Sequence, residues 1–149
     1  MAVAVKRIAV KRIYAKAVHA DGTRVLVDRL WPRGVSKHRA AVHAWLRDLA
    51  PSDGLRQWLH ARPAGWPAFR KRYLKELARP EAAEALNKLY RLAGRRKRLT
   101  LLFASKDEQR NNAVVLKDLL EGMRKPPTGT GPAGVGAGRD RQAKRMPRR

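Results

Sequence analysis

Residues 24–37 read RVLVDRLWPRGVSK, an apolar strand signal running directly into a loop dense in fixed positive charge. Val25, Leu26 and Val27 are apolar without alternation, the pattern of a strand covered on both faces, as in a parallel sheet. Asp28, Arg29, Arg33, Ser36 and Lys37 follow at once, with Trp31, Pro32 and Gly34 shaping the backbone between them. In α/β proteins ligands collect where buried strands end. Planar guanidinium forks beside an ammonium and a hydroxyl suit an anion such as phosphate or carboxylate.

A second stretch repeats the arrangement. Residues 99–104, LTLLFA, are apolar throughout and are bounded by a basic collar at residues 95–98 and by Ser105, Lys106 and Asp107. Their length and unbroken apolarity predict a buried central strand. If the two strands are neighbours, their loops converge on one crevice, with Arg29, Arg33, Ser36, Lys37, Lys106 and Asn111 as anion ligands. Asp28 and Asp107 are the candidate proton-transfer groups. The plainer expectation is that each carboxylate pairs with a local lysine or arginine and fixes its loop.

Helical patterns separate the strands. Ser36 is read as the N-cap of a helix with Ala40, Ala41, Ala44, Trp45 and Leu49 on one stripe, stopped by Pro51, and Ser52 and Asp53 cap a shorter helix through Leu59. Trp66, Phe69, Tyr73, Leu74 and Leu77 recur at helical spacing, with Arg70, Lys71, Arg72 and Lys75 opposite. Pro80 opens the next helix and Gly94 stops it. Residues 108–123 form the last, with Val115, Leu116, Leu119, Leu120 and Met123 inward. Ahead of all these, residues 8–15 alternate as a strand with Ile8, Val10 and Ile13 inward, and Asp21-Gly22 marks a turn.

Strands alternating with helices predict a small single α/β domain over residues 8–123, with a mainly parallel sheet covered by helices. Trp66, Phe69, Tyr73, Leu77, Leu101, Leu116 and Leu120 are expected in one core. A basic extension, residues 1–7, precedes the domain, and a Pro/Gly/Arg-rich tail, residues 124–149, is expected to be disordered because it holds no cluster able to form a core.

Composition narrows the classes of function. There is no cysteine, which excludes disulfides, thiolate zinc sites and a cysteine nucleophile. No apolar run approaches the roughly 20 residues that span a bilayer, so a cytoplasmic protein without membrane partners is expected. The net charge is +23, of which the tail carries +7, so the rest of the chain is basic in its own right. A field of that sign attracts anionic metabolites and nucleic acid alike. His19, His38, His43 and His60 show no metal-ligand spacing, and no metal is expected. Ser36 and Ser105 lack a nucleophile elbow. GPAGVGAG, residues 131–138, neither follows a strand nor opens a helix, so it is no phosphate-binding loop. No cofactor is named by any motif.

RVLVDRLWPRGVSK, WLRDLAPS at residues 45–52, the LRQWL and WPAFRKRYLKEL blocks and LTLLFASKDEQRNNAVVLKDLL together resemble the YeaO-like family, a bacterial domain of unknown function numbered 488. The resemblance runs over residues 8–121 and implies a small cytoplasmic α/β domain without supplying a reaction. In similar sequences the second strand ends in Tyr and its loop carries a His-Asn pair. Here Phe103 and Arg110-Asn111 stand at those places, so any acid-base or metal role of the phenol or imidazole is lost or moved. Two functional expectations follow: a protein binding an anionic small molecule at its strand ends, or a nucleic-acid-associated protein using its basic helix faces, the collar at residues 95–98 and the tail.

Overall fold

The computed structural model describes residues 8–95 and 98–122. The N-terminal extension, the centre of the basic collar and the C-terminal tail lie outside the described residues. Four strands, β1 (Ile8–Arg12), β2 (Thr23–Leu26), β3 (Ala44–Trp45) and β4 (Leu99–Phe103), form one sheet in the order β1-β4-β2-β3, every neighbouring pair parallel. The helices are α1 (Lys37–Ala40), α2 (Asp53–Ala61), α3 (Trp66–Glu76), α4 (Pro80–Arg95) and α5 (Asn112–Gly122). This is the expected parallel α/β domain, and the two strands read as buried are neighbours: Val25 of β2 lies opposite Leu101 of β4.

All five residues of β4 are buried because the sheet is covered on both faces, though unequally. One face receives α2 to α5: Leu55, Phe69, Tyr73, Leu77, Leu89, Val115, Leu116 and Leu120 pack with Val25, Val27, Leu101 and Phe103. The expected core residues all belong to this cluster, with Trp66 partly buried at its edge. A thinner layer covers the other face, where Ile13, Leu26, Ala40 and Leu102 meet Trp31, Val35, Val42 and Trp45. Ile13 therefore does not share a face with Ile8 and Val10. Alternation alone accounts for this, since residues 8, 10 and 12 share one face and Ile13, still bonded to β4 through its N–H to Phe103 O at 2.8 Å, falls on the other.

The expected long helix after Ser36 is corrected to three short elements. Ser36 does cap a helix, accepting from the Arg39 N–H at 3.1 Å, but that helix ends after one turn at Ala41, whose φ is +48°. The chain then pairs with the open edge of β2. His43 N–H reaches Arg24 O at 2.8 Å and Leu46 N–H reaches Leu26 O at 2.9 Å, while His43 Nδ1 accepts from Arg24 N–H at 3.0 Å. An unpaired strand edge offers a full row of backbone partners, and these outweigh the modest helical preference of an Ala-rich stretch. His43 is thus a sheet-edge acceptor rather than the helix-surface residue its context suggested.

Smaller departures have equally local causes. Gly94 lies inside α4 rather than after it, and Leu74, counted on the inward stripe of α3, is 38% exposed. The last helix begins at Asn112 rather than near residue 108 because residues 105–111 form a hydrogen-bonded turn of their own. Asp107 Oδ1 accepts from the N–H groups of Gln109 and Arg110 at 2.9 and 3.0 Å. Asn111 Oδ1 then caps α5 by accepting from Val114 N–H at 3.0 Å.

Candidate functional site

In a parallel sheet every strand delivers its following loop to the same end. The loops after β2, β3 and β4 therefore meet, and between them opens a cavity of about 760 Å³, within the roughly 300–1,000 Å³ that small-molecule sites occupy. Its lining includes Asp28, Arg29 and Arg33 from the loop after β2, Asp53 and Arg56 from the start of α2, and Lys106, Asp107, Arg110 and Asn111 from the loop after β4. Five fixed cations face three carboxylates there, which leaves the cavity net positive. Leu30, Trp31, Pro32, Leu59 and Pro63 supply an apolar wall.

Of the residues expected to hold an anion, Arg29, Arg33, Lys106 and Asn111 line this one cavity. Ser36 and Lys37 do not. Trp31 Nε1 donates to Val35 O at 2.6 Å, and Val35 packs into the layer on the thin face of the sheet. That closure takes Ser36 and the single turn of α1 away from the strand ends. Asn111 lies on the cavity, but its amide oxygen caps α5 and its amide nitrogen donates to Asp107 O at 2.8 Å. Arg33 and Lys106 are exposed, while Arg29 and Arg56 stand 3.9 and 3.7 Å from the shared, exposed carboxylate of Asp53.

Among the described residues, neither expected loop carboxylate pairs with a lysine or arginine in the way its sequence context suggested. Asp107 is occupied by the turn it organises. Asp28, half-buried at the end of β2, accepts from Ala104 N–H through Oδ2 at 2.8 Å and from Asn112 Nδ2 through Oδ1 at 3.2 Å. Asn112 also donates to Val27 O at 2.8 Å, and Trp45 Nε1 donates to Asp28 O at 2.8 Å. Asp28 thereby joins the ends of β2 and β4, the edge strand β3 and the start of α5. Burial pushes its carboxyl above the ordinary value of 3.8, against the opposing hydrogen bonds from Ala104 and Asn112 and the nearby Arg56 charge.

Asp53 and Arg56 were not among the expected site residues. Their signal was hidden because β3 was read as helix, so its carboxyl-end loop was not counted among the strand ends. Arg110, known from sequence as a replacement for His, puts a guanidinium into the cavity wall and donates to Pro63 O at 2.9 Å. Phe103 points the other way, into the main core, 1% exposed. Among the described residues no group of three or more His, Asp or Glu side chains is placed to hold a metal ion, and no helix is long and apolar enough to cross a membrane.

The fold and cavity define a small parallel α/β domain with a basic crevice at the carboxyl ends of its strands. The family model described as the inactive DUF488-N3 subclade matches residues 7–130, and the chain belongs to that branch of the YeaO-like DUF488 family. It is 40% identical over 104 residues to the uncharacterized protein YeaO of Escherichia coli K12, covering 70% of this chain and 88% of that relative. To the uncharacterized protein Rv3073c of Mycobacterium tuberculosis H37Rv it is 42% identical over 102 residues, covering 68% and 83%. No solved structure gives a significant match.

Proposed function

We propose that this protein binds a phosphate- or carboxylate-bearing small molecule in the crevice at its strand ends. The observation that carries the reading is that basic residues from the loops after β2 and β4 and from the first turn of α2, Arg29, Arg33, Arg56, Lys106 and Arg110, border one ligand-sized cavity. Guanidinium forks grip the anionic head, and the apolar wall at Leu30, Trp31 and Pro32 takes the body of the ligand. A fixed cation at position 110, where similar sequences have an imidazole, favours holding an anion over moving a proton. The description of the family branch as inactive points the same way, toward binding without turnover.

Calorimetric titration with phenyl phosphate at about pH 5, where this simple anion with a planar body keeps one acidic proton, tests the reading. Binding should weaken by about tenfold or more in Arg33→Ala, since a charge-assisted hydrogen bond contributes roughly 1.5–3 kcal/mol. The melting temperature of the unliganded variant should stay within about three degrees, because Arg33 is exposed and such surface changes fall within about 0.5 kcal/mol. Tyr14 Oη donates to the backbone carbonyl of Arg33, a contact that alanine preserves. Unchanged affinity in the variant would remove Arg33 from the site.

A polyanion-binding reading has one specific support of its own: Lys71, Arg72 and Lys75 of α3 are all exposed. Arg72 also stacks on Trp58, 4.3 Å from the ring centroid. Salt separates the two readings. Affinity for duplex DNA through such a face falls steeply with ionic strength, whereas a ligand held in the crevice protects the fold from heat by linkage at saturating concentration.

A further inference from the structure

Asp28 is out of place in a crevice built for anions. It lines the cavity, yet among the described residues no lysine or arginine nitrogen lies within ion-pairing distance of its carboxylate. Its partners are neutral, the Ala104 N–H and the Asn112 amide. A carboxylate oxygen has two acceptor sites, so one bond to each leaves capacity on both atoms. An anion seated among Arg29, Arg56 and Lys106 meets this carboxylate at the floor of the crevice. Two facing acceptors with no proton between them repel. With a proton between them, they form a charge-assisted O–H···O hydrogen bond, which is among the strongest available to a protein.

We propose that Asp28 makes the crevice selective for anions that carry a proton donor beside their charge, such as a monohydrogen phosphate group or an acid with an adjacent hydroxyl, and reject anions of the same shape that offer acceptors alone. The inference rests on the anion-site reading above and narrows it to a ligand class. Discrimination of this kind is large because the wrong ligand loses a bond and also leaves a desolvated acceptor facing its own charge. Burial adds to the effect, since the carboxylate has little water to turn to.

Monohydrogen phosphate and sulfate are the deciding pair. Above neutral pH both are tetrahedral dianions, and phosphate alone carries a proton. Each is titrated calorimetrically into the full chain at equal ionic strength. Phosphate should bind at least about tenfold more tightly than sulfate. Asp28→Asn should cut phosphate affinity by about tenfold and raise that of sulfate, because the amide donates where the carboxylate could not.

Equal affinity for the two ions in the wild-type protein overturns the proposal and leaves the anion site standing. So does tighter binding of both dianions by Asp28→Asn, the mark of a carboxylate that merely repels. A failure of both ions to bind brings down the anion site and the selectivity together. Should Asp28→Asn fail to fold, as judged by circular dichroism, the wild-type ratio still decides.

Discussion

Replacing Asp21 with alanine destabilises the domain by about 3 kcal/mol, measured by urea denaturation near neutral pH. Its carboxylate holds Arg24 Nη1 at 2.6 Å and Lys11 Nζ at 3.0 Å, and it accepts from Val18 N–H at 3.1 Å. The Arg24 side chain is 3% exposed. Its Nε donates to Ala40 O at 2.9 Å, while its Nη2 is buried without a partner among the described residues. Removing Asp21 therefore strands a charge inside the thin layer of the sheet, and breaking one side of a buried pair costs roughly 3–5 kcal/mol. The lower end applies here because Lys11 is 22% exposed.

Acid should reproduce part of that loss. Burial on its own raises the Asp21 carboxyl, but the Val18 N–H, Lys11 and Arg24 together outweigh it and bring it below 3.8. A carboxyl depressed by folding contributes stability above its unfolded value and loses that contribution as pH falls through the folded one. The wild-type protein should thus lose stability below about pH 4 more steeply than Asp21→Asn. Parallel acid profiles of the two proteins would contradict the assignment.

Leu101→Ala should cost about 2–5 kcal/mol, the range for emptying a leucine-sized space in a core. Leu101 is 0% exposed at the centre of β4, with Val10 of β1 on one side and Val25 of β2 on the other, under the layer formed by α2 to α5. Helices on a sheet close such a gap poorly, because each is held by several neighbours at once. A loss below about half a kcal/mol would mean that β4 is not the central strand.

The features that were readable from sequence are those carried by long patterns or by single chemical choices. Unbroken apolar runs at Val25 to Val27 and across β4 marked two buried strands but not that they are neighbours, the spacing of Trp66, Phe69, Tyr73 and Leu77 marked α3, and Ser52 marked the start of α2, where its Oγ accepts from Leu55 N–H at 3.2 Å. What escaped was decided by tertiary hydrogen bonding. A two-residue strand such as β3 has no periodicity to detect, and its pairing with β2 exists only once β2 is in the sheet. The same miss hid Asp53 and Arg56 from the site. Asp28 was visible as a charged residue at a strand end, but nothing local to it announces a backbone amide 76 residues away as its partner.

The function proposed for the crevice requires the loops after β2, β3 and β4 to share one anion. Backbone amide spectra of the ¹⁵N-labelled full chain, recorded while phenyl phosphate is added at constant ionic strength and about pH 5, where it keeps one acidic proton, address this directly. Saturable shifts should gather at residues 28–33, 53–56 and 105–111 and follow a single binding curve. Shifts confined to the exposed basic face of α3, and vanishing as salt is raised, would contradict the crevice and leave the polyanion surface in its place.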